Sequence, residues 1–502
     1  MLHCEFISGA ANTSGHGVLW LDGEVAYGCS NLVCLARHEP AGSKVKVTRS
    51  LRRHAGRVNA LASTKRDGVW TLYSAADDGL VVVWRSEEAG WTAVSSIEVK
   101  TPLMLITAMT AASGDLLFTA DAEGGVFGFV YTDTTAFEAV QTLNFAPAQT
   151  PNEIHLCGLA EEVAALFVGG VDGHVVVYAG RVPPADPRQM RLELVGSLSG
   201  HEDWVTSIDH CLTERGLLVA SGSQDAKIRL WQVSTSHSTE GVSTLLELEE
   251  TQNLEEEDEV EEEGADLIVE ESSGEARVVF QVSKTVFSIS LEALLIGHED
   301  WVTSVHFLPF PVAGIRPLVS TSMDRNIIIW LPDPTSGIWV PSTRMGDVGG
   351  TLGGAVGANL LGFVSGTVSP HENMILGVGY GGSFHLWAEE KLSKKWVPKP
   401  FVTGHFGAVN DAVWSSHGQL LLTASSDQTC RIFAHKLDGE YIELSRPQVH
   451  GYDINCLALS PDSLTLYSGG DEKIVRIFEA PGIVIQGVRQ LTLEQVNFVG
   501  NR

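Results

Sequence analysis

One short phrase recurs along this chain. A histidine, usually preceded by glycine, is followed some twenty residues later by a Ser/Thr-x-x-x-Asp turn and then by an aromatic six residues past the Asp. Four copies are clear: His54 with Ser74, Asp78 and Trp84; His201 with Ser221, Asp225 and Trp231; His298 with Ser320, Asp324 and Trp330; and His405 with Thr423, Asp427 and Phe433. A phrase that returns at fixed spacing means one supersecondary unit copied many times, and that constrains the fold more than any composition value.

Aligning the aromatics gives Trp84, Phe129, Tyr178, Trp231, Trp330, Trp387, Phe433 and Phe478, after a degenerate first unit near Ala36. Successive intervals are 48, 45, 49, 53, 99, 57, 46 and 45 residues. All but one lie near the ~40–45 residues of a four-stranded propeller blade. The 99-residue interval is one blade plus an insertion, so nine units are expected. Within a unit, runs such as Leu217-Leu218-Val219-Ala220 and Lys227-Ile228-Arg229-Leu230-Trp231 are apolar or alternating and are bounded by turn residues, which marks short strands. The expected class is all-β, because a lone four-stranded sheet leaves two faces bare and radial stacking covers them.

That architecture gives the recurrent polar residues a structural meaning. The histidine can bridge the turn Asp and the Ser/Thr hydroxyl while the indole N–H donates into the same chain, leaving each buried polar atom with a partner. Some units depart from the pattern. The one ending at Tyr178 keeps Asp172 without Gly-His; the one ending at Trp387 has Gly381 at the Asp position; the one ending at Phe478 offers Glu472 beside Asp471.

The 502-residue chain carries 33 Lys and Arg against 62 Asp and Glu, a net charge of -29. Fifteen of the acids, and no base, fall between Glu247 and Glu275. This tract, inside an insertion at about 236–276, is too polar and too charged to bury itself. It reads as a solvated loop, with a tethered acidic bait for a basic partner as the alternative. Basic clusters are short, at 49–57 and 391–399, so nucleic-acid binding through phosphates is disfavoured. The seven cysteines are scattered and lack zinc-site or disulfide spacing. No basic-then-apolar leader opens the chain, and no apolar run approaches the ~18 residues of a membrane span. A reducing cytoplasmic or nuclear setting is the expectation.

Reactive machinery is not evident. A His-Asp-Ser set repeated in unit after unit is what bracing needs, whereas a catalytic triad needs one unique constellation. The glycine-rich segment 346–362 lacks the Gly-Lys-Ser/Thr ending of a phosphate loop and reads as an interblade loop. No catalytic residue, cofactor, small-molecule ligand or metal site is therefore expected. The octapeptide Gly-His-Glu-Asp-Trp-Val-Thr-Ser occurs twice, at 200–207 and 297–304, and puts Asp203, Trp204, Asp300 and Trp301 where an entering loop meets the first strand. Those residues either form a partner-binding rim or, for the two indoles, pack between blades.

The recurrent Gly-His, Ser/Thr, Asp and aromatic positions resemble the WD-repeat family. A closer resemblance rests on the twin octapeptides together with Ser322–Asp333, Ser336–Val340, Gly346–Gly350, Gly404–Val409 and Arg446–Asp453. Their order is similar to that of the Elongator subunit 2 family, including an insertion after the fifth blade, most strongly over residues 196–482. The resemblance implies a noncatalytic scaffold that joins the Elongator scaffold subunit to the catalytic radical-SAM/acetyltransferase subunit. The assembly would modify the wobble uridine of tRNA, and tRNA would be met indirectly, through the complex. It also implies two seven-bladed propellers. The expected division is then a seven-bladed ring over 1–392 and, over 393–502, two further blades and a tail that begin an incomplete second propeller. A stand-alone WD-repeat receptor for peptides, in ubiquitin ligation or chromatin recognition, is the alternative.

Overall fold

The structure, a computed structural model, describes residues 10–38, 45–87, 90–132, 137–236, 267–268, 277–283, 285–312, 314–346, 362–390 and, with short gaps, 392–486. The core of the acidic tract (237–266 and 269–276) and residues 347–361 of the glycine-rich segment lie outside the described residues.

Among the described residues the chain makes nine antiparallel sheets, one per expected unit. They span 18–52, 58–98, 103–144, 151–198, 205–296, 302–346, 363–399, 409–445 and 454–479. Seven have four strands in chain order, the fifth has six, and the ninth has three among the described residues. The phrase aromatic lies on the third strand of its sheet, with a fourth strand following it in all but the ninth. In the fifth sheet Trp231 sits on Lys227–Ser236, which pairs Ala220 with Leu230 and Val219 with Trp231.

The turn between second and third strands explains why Asp belongs to the phrase. Its Oδ1 accepts the N–H two residues on: Leu80 from Asp78 at 3.1 Å, Lys227 from Asp225 at 2.9 Å, Asn326 from Asp324 at 2.9 Å and Thr429 from Asp427 at 2.9 Å. This Asx turn tightens the chain, and the residue after the Asp must take a left-handed backbone. Gly79 does so at φ 73° and Gly173 at 80°, whereas Ala226 (63°), Arg325 (69°) and Gln428 (66°) carry a Cβ there.

The insertion interrupts the fifth sheet between its third and fourth strands; it does not follow the fifth blade, as the family resemblance had implied. Its return arm is ordered. Arg277–Val282 folds back on Thr285–Ile296, which in turn pairs with Lys227–Ser236, and Leu267–Ile268 forms the outer edge. Burial accounts for this. Val278, Phe280, Val282, Phe287 and Ile289 join one apolar cluster with Val195 and Leu198 of the fourth sheet, and the Phe280 and Phe287 rings stack at 5.3 Å.

The chain forms two compact units. One contains the second to sixth sheets, packed in series: Tyr73 and Leu103 between the second and third, Phe118 and Leu166 between the third and fourth, Phe167 and Trp231 between the fourth and fifth, Leu230 and Trp330 between the fifth and sixth. Within it, the first strands of the fourth, fifth and sixth sheets run side by side. The other unit contains the first, seventh, eighth and ninth sheets. Here the first sheet packs on the seventh through Tyr27, Cys34 and Val47 against Met374, Leu376 and Leu386, and the eighth packs on the ninth through Leu422 and Ala424 against Ile454 and Leu457.

Candidate functional site

The phrase residues converge within each sheet. In the fifth, Trp231 Nε1 donates to Ser221 Oγ at 3.0 Å, His201 Nε2 lies 2.9 Å from the same oxygen, and His201 Nδ1 lies 3.0 Å from Asp225 Oδ2. The ionised Asp225 can only accept, so a neutral His201 carries its hydrogen on Nδ1, and its Nε2 then accepts from the Ser221 hydroxyl, whose oxygen accepts the indole N–H. This order satisfies every atom and assigns the tautomer. Burial would raise the Asp225 carboxyl, but hydrogen bonds from His201 and from the Glu202 and Lys227 N–H groups outweigh it and hold the pKa down to about 2.

The other copies carry the same kinds of contact. In the sixth sheet Trp330 Nε1 donates to Ser320 Oγ at 2.8 Å and His298 Nε2 lies 2.7 Å from that oxygen. In the eighth, His405 bridges Thr423 Oγ1 at 2.7 Å and Asp427 Oδ2 at 2.8 Å, and Phe433 supplies no donor. In the second, Trp84 Nε1 donates to Ser74 Oγ at 2.8 Å, while His54 is buried with its carbonyl accepting from Asn31 Nδ2 at 3.1 Å. A further relay escaped the sequence reading: in the ninth sheet His450 Nε2 lies 2.7 Å from Ser468 Oγ and its Nδ1 pairs with Glu472, which Arg476 also holds. The signal was present as His450-Gly451, a reversed Gly-His, with Glu in place of Asp.

Although Ser, His and Asp stand here in triad order, the chemistry open to them is narrow. Ser74, Ser221 and Ser320 are 0% exposed, so no substrate carbonyl can reach their oxygens, and each oxygen already accepts from an indole.

The twin octapeptides behave differently. Trp204 and Trp301 are 45% and 46% exposed, far from the burial expected of packed indoles. Each is held alike: its backbone N–H donates at 2.8 Å to Asp203 Oδ1 or Asp300 Oδ1, and the Asp203 and Asp300 carbonyls accept from Ser223 Oγ at 2.9 Å and Ser322 Oγ at 3.0 Å. The loops entering the neighbouring fifth and sixth sheets thus present two exposed indoles on similarly braced backbone, each beside a carboxylate, with Glu202 and Glu299 also exposed. A surface of this kind suits a partner with apolar and basic groups.

One cluster had no counterpart in the sequence reading. His155 on the fourth sheet and Asp209 and His210 on the fifth bring their ligand atoms within 4.8 Å of one another, with His155 Nε2 2.7 Å from His210 Nδ1. Burial, and then the neighbouring His210, push the His155 pKa down to about 3; burial also lowers that of His210. No spacing in the chain signals the cluster, since 55 residues separate the two histidines.

The repeat family described as "WD domain, G-beta repeat" matches at residues 45–85, 192–232, 289–330, 396–433 and 443–479. Each match covers strand from the end of one sheet and the first three strands of the next, so the repeat is staggered against the sheet and ties neighbours covalently. Curated relatives align over nearly the whole chain. Elongator complex protein 2 of Drosophila melanogaster is 32% identical over 94% of this chain and 57% of its own length. That of Danio rerio is 31% identical over 95% and 54%, and that of Arabidopsis thaliana 30% over 95% and 58%. The chain spans about half the length of the curated relatives it matches. With its nine-sheet organisation and the phrase residues in place, the chain is a WD-repeat protein that is similar to Elongator complex protein 2 over nearly its whole length.

Proposed function

We propose that this chain is a noncatalytic scaffold within the Elongator complex, bridging its scaffold subunit and its radical-SAM/acetyltransferase subunit and so supporting wobble-uridine modification of tRNA in the cytoplasm or nucleus. The observation that carries the reading is the alignment with Elongator complex protein 2 across 94% of the chain. Two features agree with it: the phrase hydroxyls are sealed inside the sheets, and the pairs Asp203-Trp204 and Asp300-Trp301 are exposed together on entering loops. The partner surface is assigned to those loops.

The division of the chain belongs to the same proposal. The first sheet packs on the seventh, as the two ends of a seven-bladed ring would, and the eighth packs on the ninth. The seventh sheet takes its fourth strand from Trp396–Lys399, and the proposed ring includes that strand. On the last described strand Val475 and Ile477 are 69% and 63% exposed, a face that a further sheet would cover.

Affinity purification with mass spectrometry tests the function. The tagged chain should return the other Elongator subunits, and Asp300→Lys with Trp301→Ala should lose at least one of them while the fold, read by circular dichroism, is kept. Recovery of ubiquitin-ligase or histone components without Elongator subunits would replace this reading with that of a stand-alone peptide receptor.

A further inference from the structure

Four side chains able to ligate a metal meet along the first strands of the fourth, fifth and sixth sheets, all within one compact unit. His155 Nε2 and His210 Nδ1 face each other at 2.7 Å. Asp209 is fixed from both sides: Oδ1 accepts the His210 N–H at 2.8 Å and Oδ2 accepts the Phe307 N–H at 2.8 Å, leaving each oxygen further lone-pair capacity. His306 Nδ1 stands 3.8 Å from Asp209 Oδ2. The four side chains are half-buried, so an ion can reach them and still be partly shielded from water.

The repeat does not demand these residues. Superposing the units on His201, His298 and His405 sets Asp209 against His306 and Val413, and His210 against Phe307 and Trp414. Bracing residues recur from sheet to sheet; among the described residues this group occurs once.

We propose that His155, His210 and Asp209 bind a single divalent transition-metal ion, zinc being the ion that two imidazoles and a carboxylate suit, with His306 placed as the fourth donor. Tetrahedral zinc with Zn–N of ~2.0–2.1 Å sets its ligand atoms ~3.3 Å apart, so the imidazoles open by roughly 0.6 Å and the carboxylate swings inward. As neutral rings the two histidines share one N–H across their contact. Binding requires only that this proton move to the ring nitrogen pointing away, and both rings then offer a lone pair without net loss of a proton. Such an ion would add a cross-link between first strands that already pack side by side in three consecutive sheets.

The test uses the full chain, stripped with chelator and dialysed, and titrated calorimetrically with zinc chloride. The wild type should take up one ion, and the double variant His155→Gln/His210→Gln should bind at least about 10-fold more weakly, the range seen when a metal site loses supporting groups. Zinc should raise the melting temperature of the wild type and leave that of the double variant unchanged. Where circular dichroism shows the double variant unfolded, Asp209→Asn decides by the same measurements. Cobalt(II) chloride provides an independent reading, since a tetrahedral imidazole site gives an intense visible band. Absence of zinc uptake by the wild type, equal affinity in the folded variant, or a cobalt spectrum like that of the aqueous ion would each overturn the site and leave a plain His–His hydrogen bond.

Discussion

The indole nitrogen of Trp231 lies 3.0 Å from the hydroxyl oxygen of Ser221, and Ser221 is 0% exposed. Because that oxygen also meets His201, removing it strands a donor and an acceptor together. Ser221→Ala should therefore destabilise the chain by about 1–3 kcal/mol in urea denaturation. Thr423→Val is the control. Thr423 meets His405 but no indole, because Phe433 occupies the aromatic position, so the loss there should be about half as large. Equal losses would show that the indole bond adds nothing.

Acid should act through the same relay. The Asp225 carboxyl is held down to about 2, and that of Asp427 is also lowered. A carboxylate whose folded pKa lies below its unfolded value, about 3.9, contributes stability that is full above the unfolded value and is lost as pH falls through the folded one. Stability should thus fall between about pH 4 and pH 2, and Asp225→Asn should flatten that slope. Urea midpoints measured from pH 7 to pH 2 check this; an unchanged slope in the variant would remove Asp225 from the acid response.

What could be read from the chain, and what could not, follows from distance. Ser221 and Trp231 lie on paired strands ten residues apart, so one local turn fixes their meeting, and the same turn repeats it at Ser74–Trp84 and Ser320–Trp330. The His155–His210 contact joins two sheets, and the stacked Phe280 and Phe287 became legible only with the fourth sheet in place, because nothing local states that an insertion arm will find an apolar face there. The exposure of Trp204 was undecidable for a related reason: Trp is compatible with both a seam and a rim, and only the turn held by Asp203 sets its direction.

Backbone strain is unevenly distributed among the Asx turns. Gly79 takes the left-handed position at φ 73° without a Cβ, whereas Ala226 takes it at 63° with one. A left-handed alanine costs roughly 1–2 kcal/mol, part of which glycine returns through its greater freedom when unfolded. Ala226→Gly should accordingly raise stability by about 0.5–1 kcal/mol. A drop in the denaturation midpoint would mean that the Ala226 methyl makes a contact worth more than the strain.

The seven-bladed division depends on the first sheet meeting the seventh, and one aromatic pair reports on it. The Tyr27 and Phe384 rings lie 4.8 Å apart at 73°, with Tyr27 fully buried. These residues are far apart in sequence, so their contact forms only if the two sheets pack. Edge-to-face pairs contribute about 0.5–1.5 kcal/mol beyond the area they bury. A double-mutant cycle with Tyr27→Leu and Phe384→Leu keeps the site apolar and isolates that share, and it should return a coupling energy in this range. Additive losses, with no coupling, would mean that the two sheets do not meet in solution, and the proposed ring would have to be redrawn.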